Sequence, residues 1–441
     1  MVAHVDSGRS AHYATSMFII GVLFFIFGFV TWLNSSLMLF VKVGFDLDNV
    51  GTFLVPAAFY LSYFFLALPS ALVLRRTGMK KGMALGLLFM AAGSGLFAWF
   101  MDAYSYVGAL VALFVTGAGL ALLQTSSNPY VSILGPIESG AKRVAIMGIC
   151  NKVAGGVAPF VFGALLLGGA TGFAASIRDA ATPAARSALQ HEFVSRAVLP
   201  YVVMAVVLVV LAVWVVCSSL PEIKPQEAPA ARRPEDRRGI FAFPHLWLGV
   251  LCLFIYVGME VMAGDGIVIY GQASGLSLDA AKHLTTWTMV GMLAGYLLGV
   301  VLTPRFVSQQ RYLALSAVLG IVLAFAAWVT SGGVSVACVA ALGFANAMMW
   351  PAIFPLAIKG LGRLTEFGSA LLVMGIAGGA LIPLLFAHLE EIIDFQLAFL
   401  LVMVPGYAYI FYYGLHGYGV GTDRRAAADA VPAAAKIDAV P

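Results

Sequence analysis

Residues 221–238 read PEIKPQEAPAARRPEDRR and form the longest polar stretch in the interior of the chain. This stretch is rich in Pro, Ala and Arg, which is typical of a connecting segment and not of a buried helix. Long apolar runs stand on both sides of it. The pattern therefore predicts two apolar halves joined by a linker over residues 221–244.

The composition excludes a compact water-soluble fold. Of 441 residues, 61% are hydrophobic and 10% are charged, and the mean hydropathy is +0.95. Soluble proteins carry roughly 45–50% apolar and about 25% charged residues. A soluble enzyme, a nucleic-acid-binding protein and a disordered chain are all excluded, which leaves a polytopic protein whose surroundings are the lipid bilayer.

Twelve apolar runs have the length that a membrane-spanning helix needs, about 20 residues. The first run has no small-residue cleavage site behind it, so we interpret it as a span and not as a signal peptide. The predicted spans lie near 16–41, 51–74, 83–101, 106–134, 144–168, 198–220, 245–271, 284–303, 311–330, 334–358, 367–389 and 395–416.

Basic residues predict the orientation, because short cytoplasmic loops are enriched in Lys and Arg. Of the 25 Lys and Arg residues, 19 fall in one alternate set of loops and tails, five fall in the other set, and Lys152 lies inside a span. Both termini are therefore expected in the cytoplasm. The predicted organisation is a tail at 1–15, a six-helix half at 16–220, the linker, a six-helix half at 245–416 and a tail at 417–441.

The two halves share short motifs at nearly constant spacing. Asn128-Pro129 matches Trp350-Pro351 at an offset of 222, and Ala154-Gly155-Gly156 matches Ala377-Gly378-Gly379 at an offset of 223. Two six-span halves related by such a repeat are typical of the major facilitator architecture, in which substrate binds between the halves near the midplane.

Three ionisable residues fall inside predicted spans: Lys152, Glu260 and Asp265. Charged groups are costly inside a membrane, so each is a functional candidate. Lys152 can be a ligand or coupling residue, or only one member of a structural ion pair with Glu260 or Asp265. Glu260 can take part in ion coupling, or it can belong to a buried network that only holds span 7 in position. Asp265 lies between Gly264 and Gly266, which predicts a helix break, and it can be a coupling group or a solvated kink residue.

Side-chain amides and aromatic rings supply the second group of candidates. Sugars are bound by amides and carboxylates beside an aromatic face, since hydroxyls both donate and accept hydrogen bonds. A single Asn is more often a helix–helix contact, but five amides in cavity-lining spans point to a ligand. No histidine cluster or nucleophile arrangement favours an enzyme, and no cysteine lies at metal-ligand spacing. The amides are Asn34, Gln124, Asn128, Asn151 and Asn346, and the aromatic candidates are Trp32, Trp287 and Trp350.

Several segments together resemble one family of transporters, the fucose–galactose–glucose:proton symporters of the major facilitators. The resemblance covers residues 17–416, and the stretch 146–152 is similar to the N-acetylglucosamine permease branch. The segments are Trp32-Leu33-Asn34, residues 123–131 (LQTSSNPYV) with Leu134-Gly135-Pro136, residues 256–261 (YVGMEV), and residues 350–354 (WPAIF) with 356–362 (LAIKGLG).

The chain departs from the fucose branch at two positions that the resemblance links to proton coupling. Ser35 stands where that branch has Asp, and Gln124 stands where it has Glu, as in the glucose/galactose branch. Asn151 matches the Asn that the fucose branch has in span 5, but Gly148 stands where that branch has a Gln. A proton-coupled carrier with this sequence must therefore use another group, and Glu260 or Asp265 is available; sodium coupling would instead use amide and hydroxyl oxygens.

These features predict an all-α polytopic membrane protein with the major facilitator fold, in the bacterial inner membrane. We expect a monomeric sugar importer that uses no metal or cofactor and is coupled to a cation. N-acetylglucosamine is the favoured substrate, and the proton is the favoured coupling ion. Alternatives are a glucose/galactose symporter driven by protons or sodium, a multidrug exporter and a sugar-sensing receptor. Predicted substrate-binding residues are Asn34, Gln124, Asn128, Asn151, Lys152, Asn346 and Trp350; predicted coupling residues are Glu260 and Asp265.

Overall fold

A computed structural model of the protein describes residues 7–133, 140–222, 239–303, 306–361 and 364–421. Across these ranges the regular structure is helical, and twelve helices are long and apolar enough to cross a membrane. We number them as spans 1 to 12: Tyr13–Phe45, Asn49–Thr77, Met79–Asp102, Tyr106–Asn128, Ile146–Leu167, Pro183–Cys217, Pro244–Gly264, Leu278–Leu302, Gln309–Val329, Gly332–Ile358, Phe367–Leu389 and Phe395–Leu415.

Several spans are built from more than one helix. The first half contains Ser7–Trp32, Asn34–Phe45, Asn49–Thr77, Met79–Asp102, Tyr106–Ile133, Gly140–Leu167, Ala170–Arg178, Pro183–Ser195 and Val198–Cys217. The second contains Pro244–Gly264, Ile267–Ala273, Leu278–Ala281, Leu284–Leu302, Gln309–Val329, Gly332–Asn346, Met349–Ile358, Thr365–Met374, Gly378–Leu389 and Phe395–Leu415, with short 3₁₀ turns at Ile240–Ala242, Gly375–Ala377 and Gly417–Gly419.

The predicted number of spans is confirmed, and the predicted limits differ most at span 6. Span 6 begins with the helix Pro183–Ser195, which Thr182 caps by accepting from the Ala185 N–H, and span 1 continues to Phe45. The predicted linker and C-terminal tail fall largely on residues 223–238 and 422–441, outside the described residues.

Spans 1 and 7 are each interrupted at a corresponding place in their half. Span 1 breaks at Leu33, between the helices Ser7–Trp32 and Asn34–Phe45. The helix of span 7 stops at Gly264, and the chain continues after Asp265 and Gly266 as the helix Ile267–Ala273, in agreement with the break that the flanking glycines predict. A helix break frees backbone polar groups, which membrane proteins tolerate only where protein or a polar cavity surrounds them. Both breaks lie in the buried interior, so they mark the polar centre of the molecule.

The repeated glycine motif has the same packing role in both halves. A Cβ added at Gly155 of span 5 would lie 2.6 Å from Cδ1 of Trp32 in span 1. A Cβ added at Gly378 of span 11 would collide with the Phe254 carbonyl oxygen of span 7. Small residues therefore allow span 5 to approach span 1, and span 11 to approach span 7. This equivalence supports the internal repeat.

The halves meet closely at the end of the molecule opposite the termini, which we call the non-terminal end. The rings of Phe53 in span 2 and Phe386 in span 11 make an edge contact with centroids 6.0 Å apart. Near the surface, Thr171 donates a 2.6 Å hydrogen bond to the Asp279 carboxylate across the two halves. These contacts close the non-terminal end over the polar centre.

Candidate functional site

A buried ion pair joins the two halves at the centre of the molecule. Lys152 Nζ of span 5 donates to Glu260 Oε1 of span 7 at 2.8 Å, and the two side chains are 8% and 11% exposed. Of the two carboxylates that the sequence offers to Lys152, the structure therefore places Glu260 beside it. Breaking one side of such a pair leaves the other charge buried and alone, at a cost of roughly 3–5 kcal/mol.

An aromatic ring lies over the same ammonium group. The centroid of the Trp32 ring is 4.8 Å from Lys152 Nζ, close enough for a cation–π contact. Trp32 also packs with Met289, Met292 and Tyr296 of span 8. The side chain just before the span 1 break thus contacts span 5 and the opposite half together.

Three buried amides have atoms without a hydrogen-bond partner among the residues that the structure describes. They are both polar atoms of the Asn34 side chain, Nδ2 of Asn151 and Nδ2 of Asn346. The residues are 1%, 7% and 0% exposed. Native proteins satisfy nearly all buried polar groups, so these unmet amide atoms indicate that water or a polar ligand completes their hydrogen bonding.

The remaining predicted amides are arranged differently. Gln124 Nε2 donates to the Tyr63 hydroxyl at 2.8 Å, so this donor is already engaged by span 2. Asn128 lies one turn further along span 4 and is half-buried. Asn346 Oδ1 accepts from Tyr407 at 2.9 Å, which holds its amide in place at the break of span 10.

Asp265 is buried beside the break of span 1. Its residue exposure is 0%, so the alternative of a solvated kink residue is wrong. Tyr60 of span 2 donates to Oδ2 at 3.4 Å, and the backbone N–H of Ser35 also donates to the carboxylate. Its other oxygen, Oδ1, has no partner within the described ranges.

The three predicted tryptophans have different surroundings. Trp32 lies at the ion pair, whereas Trp350 is half-buried and stacks on Phe354 of its own helix with ring centroids 5.9 Å apart. Trp287 is 64% exposed on the outer surface of span 8, so its prediction as a site residue is wrong. Its sequence position gave no indication of which helix face turns outward.

Sequence reasoning missed a set of tyrosines around the two carboxylates. Tyr60 contacts Asp265, while Tyr256, Tyr296 and Tyr407 lie within electrostatic range of Glu260. Tyrosines at membrane interfaces are common, and only helix register distinguishes those from buried ones. The spacing of Tyr60 and Tyr63 on one face of span 2 was the available signal.

A second charged group bridges the halves at the non-terminal end. Lys42 Nζ donates to Asn49 Oδ1 at 2.6 Å, and Glu390 of the second half lies within electrostatic range of Lys42. Burial raises the pKa of Glu390 above its usual range, while the hydrogen bond from Asn49 and the charge of Lys42 oppose this shift and Glu391 adds to it.

An apolar groove lies apart from the polar centre. A groove of about 750 Å³ runs between spans 1 and 5, where residues such as Phe18, Phe25 and Ile146 line it. None of the unpartnered amides contributes to its lining. In the part of the chain that the structure describes, no group of three or more His, Cys, Asp or Glu residues could hold a metal ion.

Chemically, the centre offers amide donors, an ion pair and an aromatic ring between two halves. These groups suit a small polar solute that needs both hydrogen bonds and an apolar face. They do not form a nucleophile–base arrangement.

The chain matches the Major Facilitator Superfamily over residues 17–383. It is 33% identical to a protein of Brucella abortus named "Glucose/galactose transporter", over 94% of this chain and 97% of that protein. It is 28% identical to the "L-fucose-proton symporter" of Escherichia coli, over 86% of this chain and 87% of that protein.

Solved structures show the same architecture. A transporter of this superfamily, FucP, crystallised in the outward conformation, is similar with a TM-score of 0.72 and 25% identity, over 92% of this chain and 99% of that one. A D-xylose-proton symporter is similar in fold alone, with a TM-score of 0.66 and 16% identity over 91% of this chain and 97% of that one. The family match and the near full-length relatives lead to one conclusion: this chain belongs to the Major Facilitator Superfamily.

Proposed function

We propose that the protein is a sugar–proton symporter that imports a hexose by alternating access between its two halves. The observation that carries the proposal is the set of unmet amide donors on three buried residues, Asn34 and Asn151 of the first half and Asn346 of the second. A sugar offers several hydroxyls that can accept from these donors in one small volume. The names of the relatives point to the same class of substrate.

The site combines groups of both halves. In this proposal the first half contacts the sugar through Asn34, Asn151 and Lys152. Gln124 and Asn128 of span 4 also contribute to the site from this half. Asn346 contacts it from the second half, and Trp32 replaces Trp350 as the ring that packs on the sugar, because Trp32 lies over Lys152.

Glucose and galactose are the favoured substrates. The expectation of N-acetylglucosamine rests on the short stretch 146–152 alone. Relatives that match over nearly the full chain are instead named for glucose and galactose, and others for L-fucose. None of these three sugars carries an acetamido group, so a pocket that accepts hydroxyls only is the simpler assignment.

The coupling ion in this proposal is the proton, and Glu260 and Asp265 are the carboxyl groups available to carry it. Two relatives are named L-fucose-proton symporters, which supports this choice over sodium. We place the protein in the bacterial inner membrane as a multi-pass monomer with both termini in the cytoplasm, following the distribution of Lys and Arg.

Uptake of a panel of radiolabelled sugars into vesicles of expressing cells tests the proposal. Glucose, galactose, L-fucose and N-acetylglucosamine are compared with and without a protonophore and with and without sodium. We expect concentrative uptake of glucose and galactose that the protonophore abolishes. Uptake of N-acetylglucosamine alone would restore the first expectation, and uptake indifferent to both gradients would identify a uniporter.

A multidrug exporter is the competing class. It would need an apolar central cavity, whereas the centre of this protein holds an ion pair and several amides. Extrusion of an apolar dye that glucose and galactose do not inhibit, combined with no sugar uptake, would favour the exporter.

A further inference from the structure

Two carboxyl groups lie at the polar centre, and their surroundings differ. Glu260 is paired with Lys152 at 2.8 Å, so the charges of this pair cancel. Asp265 is 0% exposed and has no ion-pair partner among the described residues. An ionised carboxylate buried without a counter-charge is expensive, and such a group favours its protonated form.

The contacts of Asp265 come mostly from the opposite half. Asp265 directly follows span 7, yet its carboxylate accepts from the Tyr60 hydroxyl of span 2 at Oδ2 and from the backbone N–H of Ser35 in span 1. Both contacts therefore cross from one half of the molecule to the other. Separation of the halves at that end would remove both donors and expose the carboxyl group to water.

The groups that face Asp265 from each neighbouring element are few. Span 2 contributes Tyr60, span 1 contributes only the backbone N–H of Ser35, and Glu260 lies on span 7 itself within electrostatic range. From span 8, Thr285 and Thr288 donate to the carbonyl oxygens of Gly264 and Ala263 and bring no charge. The second oxygen, Oδ1, is free to hold a proton.

We propose that Asp265 carries the coupling proton, while Glu260 remains the fixed partner of Lys152. This inference rests on the proposed sugar–proton symport and assigns its ion to one residue. When the non-terminal end is open, Asp265 takes a proton from that aqueous phase. Neutral Asp265 can then be buried against Ser35 and Tyr60, so the end closes over sugar and proton together.

Release follows the same principle in reverse. Once the opposite end opens, the proton leaves Asp265 for the second aqueous phase and the sugar leaves the amides. For net uptake, the empty carrier must then reorient with Asp265 deprotonated. Exchange of labelled for unlabelled sugar uses only the loaded, protonated carrier and needs no such step. A variant that cannot release the proton should therefore exchange sugar but not concentrate it.

Asp265→Asn tests this directly, because Asn imitates the neutral carboxyl in size and shape. In proteoliposomes with galactose, we expect exchange within about twofold of the wild type and loss of accumulation driven by an imposed pH gradient. Asp102→Asn is the control, since it neutralises an exposed carboxylate at the end of span 3, at the same end of the molecule, and it should keep both activities. Asp265→Glu should keep gradient-driven accumulation with a shifted pH midpoint.

A measurement on the wild-type protein does not depend on the folding of the variants. Dicyclohexylcarbodiimide reacts with protonated carboxyl groups in apolar surroundings, and mass spectrometry locates the adduct. We expect modification at Asp265 that declines as pH rises, with Glu260 unmodified. Modification of Glu260 instead of Asp265 would overturn the assignment, as would pH-driven accumulation by Asp265→Asn or accumulation that follows sodium alone.

The two levels of the proposal fail in different ways. If the wild type neither exchanges nor accumulates any sugar of the panel, the proposed function is wrong. If the wild type accumulates sugar with protons and Asp265→Asn does so equally well, the function stands and the assignment of the proton to Asp265 is wrong.

Discussion

The two halves have matching scaffolds and different chemistry. Spans 1 and 7 are both interrupted, and the glycines of spans 5 and 11 both allow close packing on the interrupted helix. Yet the first half supplies the cation, Lys152, and most of the amides, whereas the second half supplies both buried carboxylates. The duplicated helices thus position a site whose two sides have diverged.

This division gives each half a separate task in the proposed cycle. Hydrogen-bond donors that hold an uncharged sugar lie mainly on the first half, and the group that takes up a proton lies on the second. Sugar and proton are then coupled because both are enclosed only when the halves meet. Substitutions in the first half should chiefly change affinity, and substitutions in the second should chiefly change coupling.

The largest effect is expected from Glu260→Gln, which leaves the Lys152 ammonium buried without its partner. We expect a loss of roughly 3–5 kcal/mol in stability, seen as a lower melting temperature in detergent and lower expression. Lys152→Met combined with Glu260→Gln removes both charges and should restore expression and melting temperature.

The double variant also separates a structural from a functional role for Lys152. If Lys152 contacts sugar, the double variant should fold but bind galactose more weakly and fail to concentrate it. Full recovery of concentrative uptake in the double variant would leave Lys152 as a structural partner only.

The sequence predicted the fold far better than it predicted the site. Twelve spans follow from hydropathy and length, and the break in span 7 follows from glycines beside Asp265. Contacts between helices depend on rotation and on distant packing, which local periodicity leaves open. Thus Lys152 had two candidate partners, Trp287 was wrongly placed in the site, and Tyr60 was overlooked although it touches Asp265.

A smaller effect is expected from removal of the unmet amides. Asn34→Ala, Asn151→Ala and Asn346→Ala should each weaken galactose binding by about 1–3 kcal/mol, measured by isothermal titration on purified protein. Gln396→Ala is the control, because this half-buried amide already donates to the carbonyl oxygens of Ala327 and Thr330. The control should lose stability without losing affinity. Wild-type affinity in all three site variants would refute the placement of the site.

Glu390 should produce the smallest effect, a pH dependence of closure at the non-terminal end. Burial raises its pKa in the closed arrangement, so protonation favours closure and closure weakens as pH rises through that raised value. Lys42 and Asn49 oppose the shift, which limits its size. Glu390→Gln is neutral at every pH and should remove the dependence.

Distances between spin labels at Ala103→Cys and Ile392→Cys, in a background without the native cysteines, measure this closure. Both positions are exposed in loops of opposite halves at the non-terminal end. In the labelled protein that retains Glu390, we expect a larger fraction of long label-to-label distances as pH rises. In the labelled Glu390→Gln variant we expect no such change. An equal response in both would assign the dependence to another group.

The central claim is that sugar and proton cross together, with the sugar bound mainly by the first half and the proton carried by the second. Its most direct test is the external pH of lightly buffered, de-energised cells when galactose is added. The wild type should make the medium more alkaline as sugar enters, and Asp265→Asn should bind and exchange galactose without any pH change. Entry of galactose into wild-type cells without alkalinisation, or alkalinisation that persists in Asp265→Asn, would contradict the account.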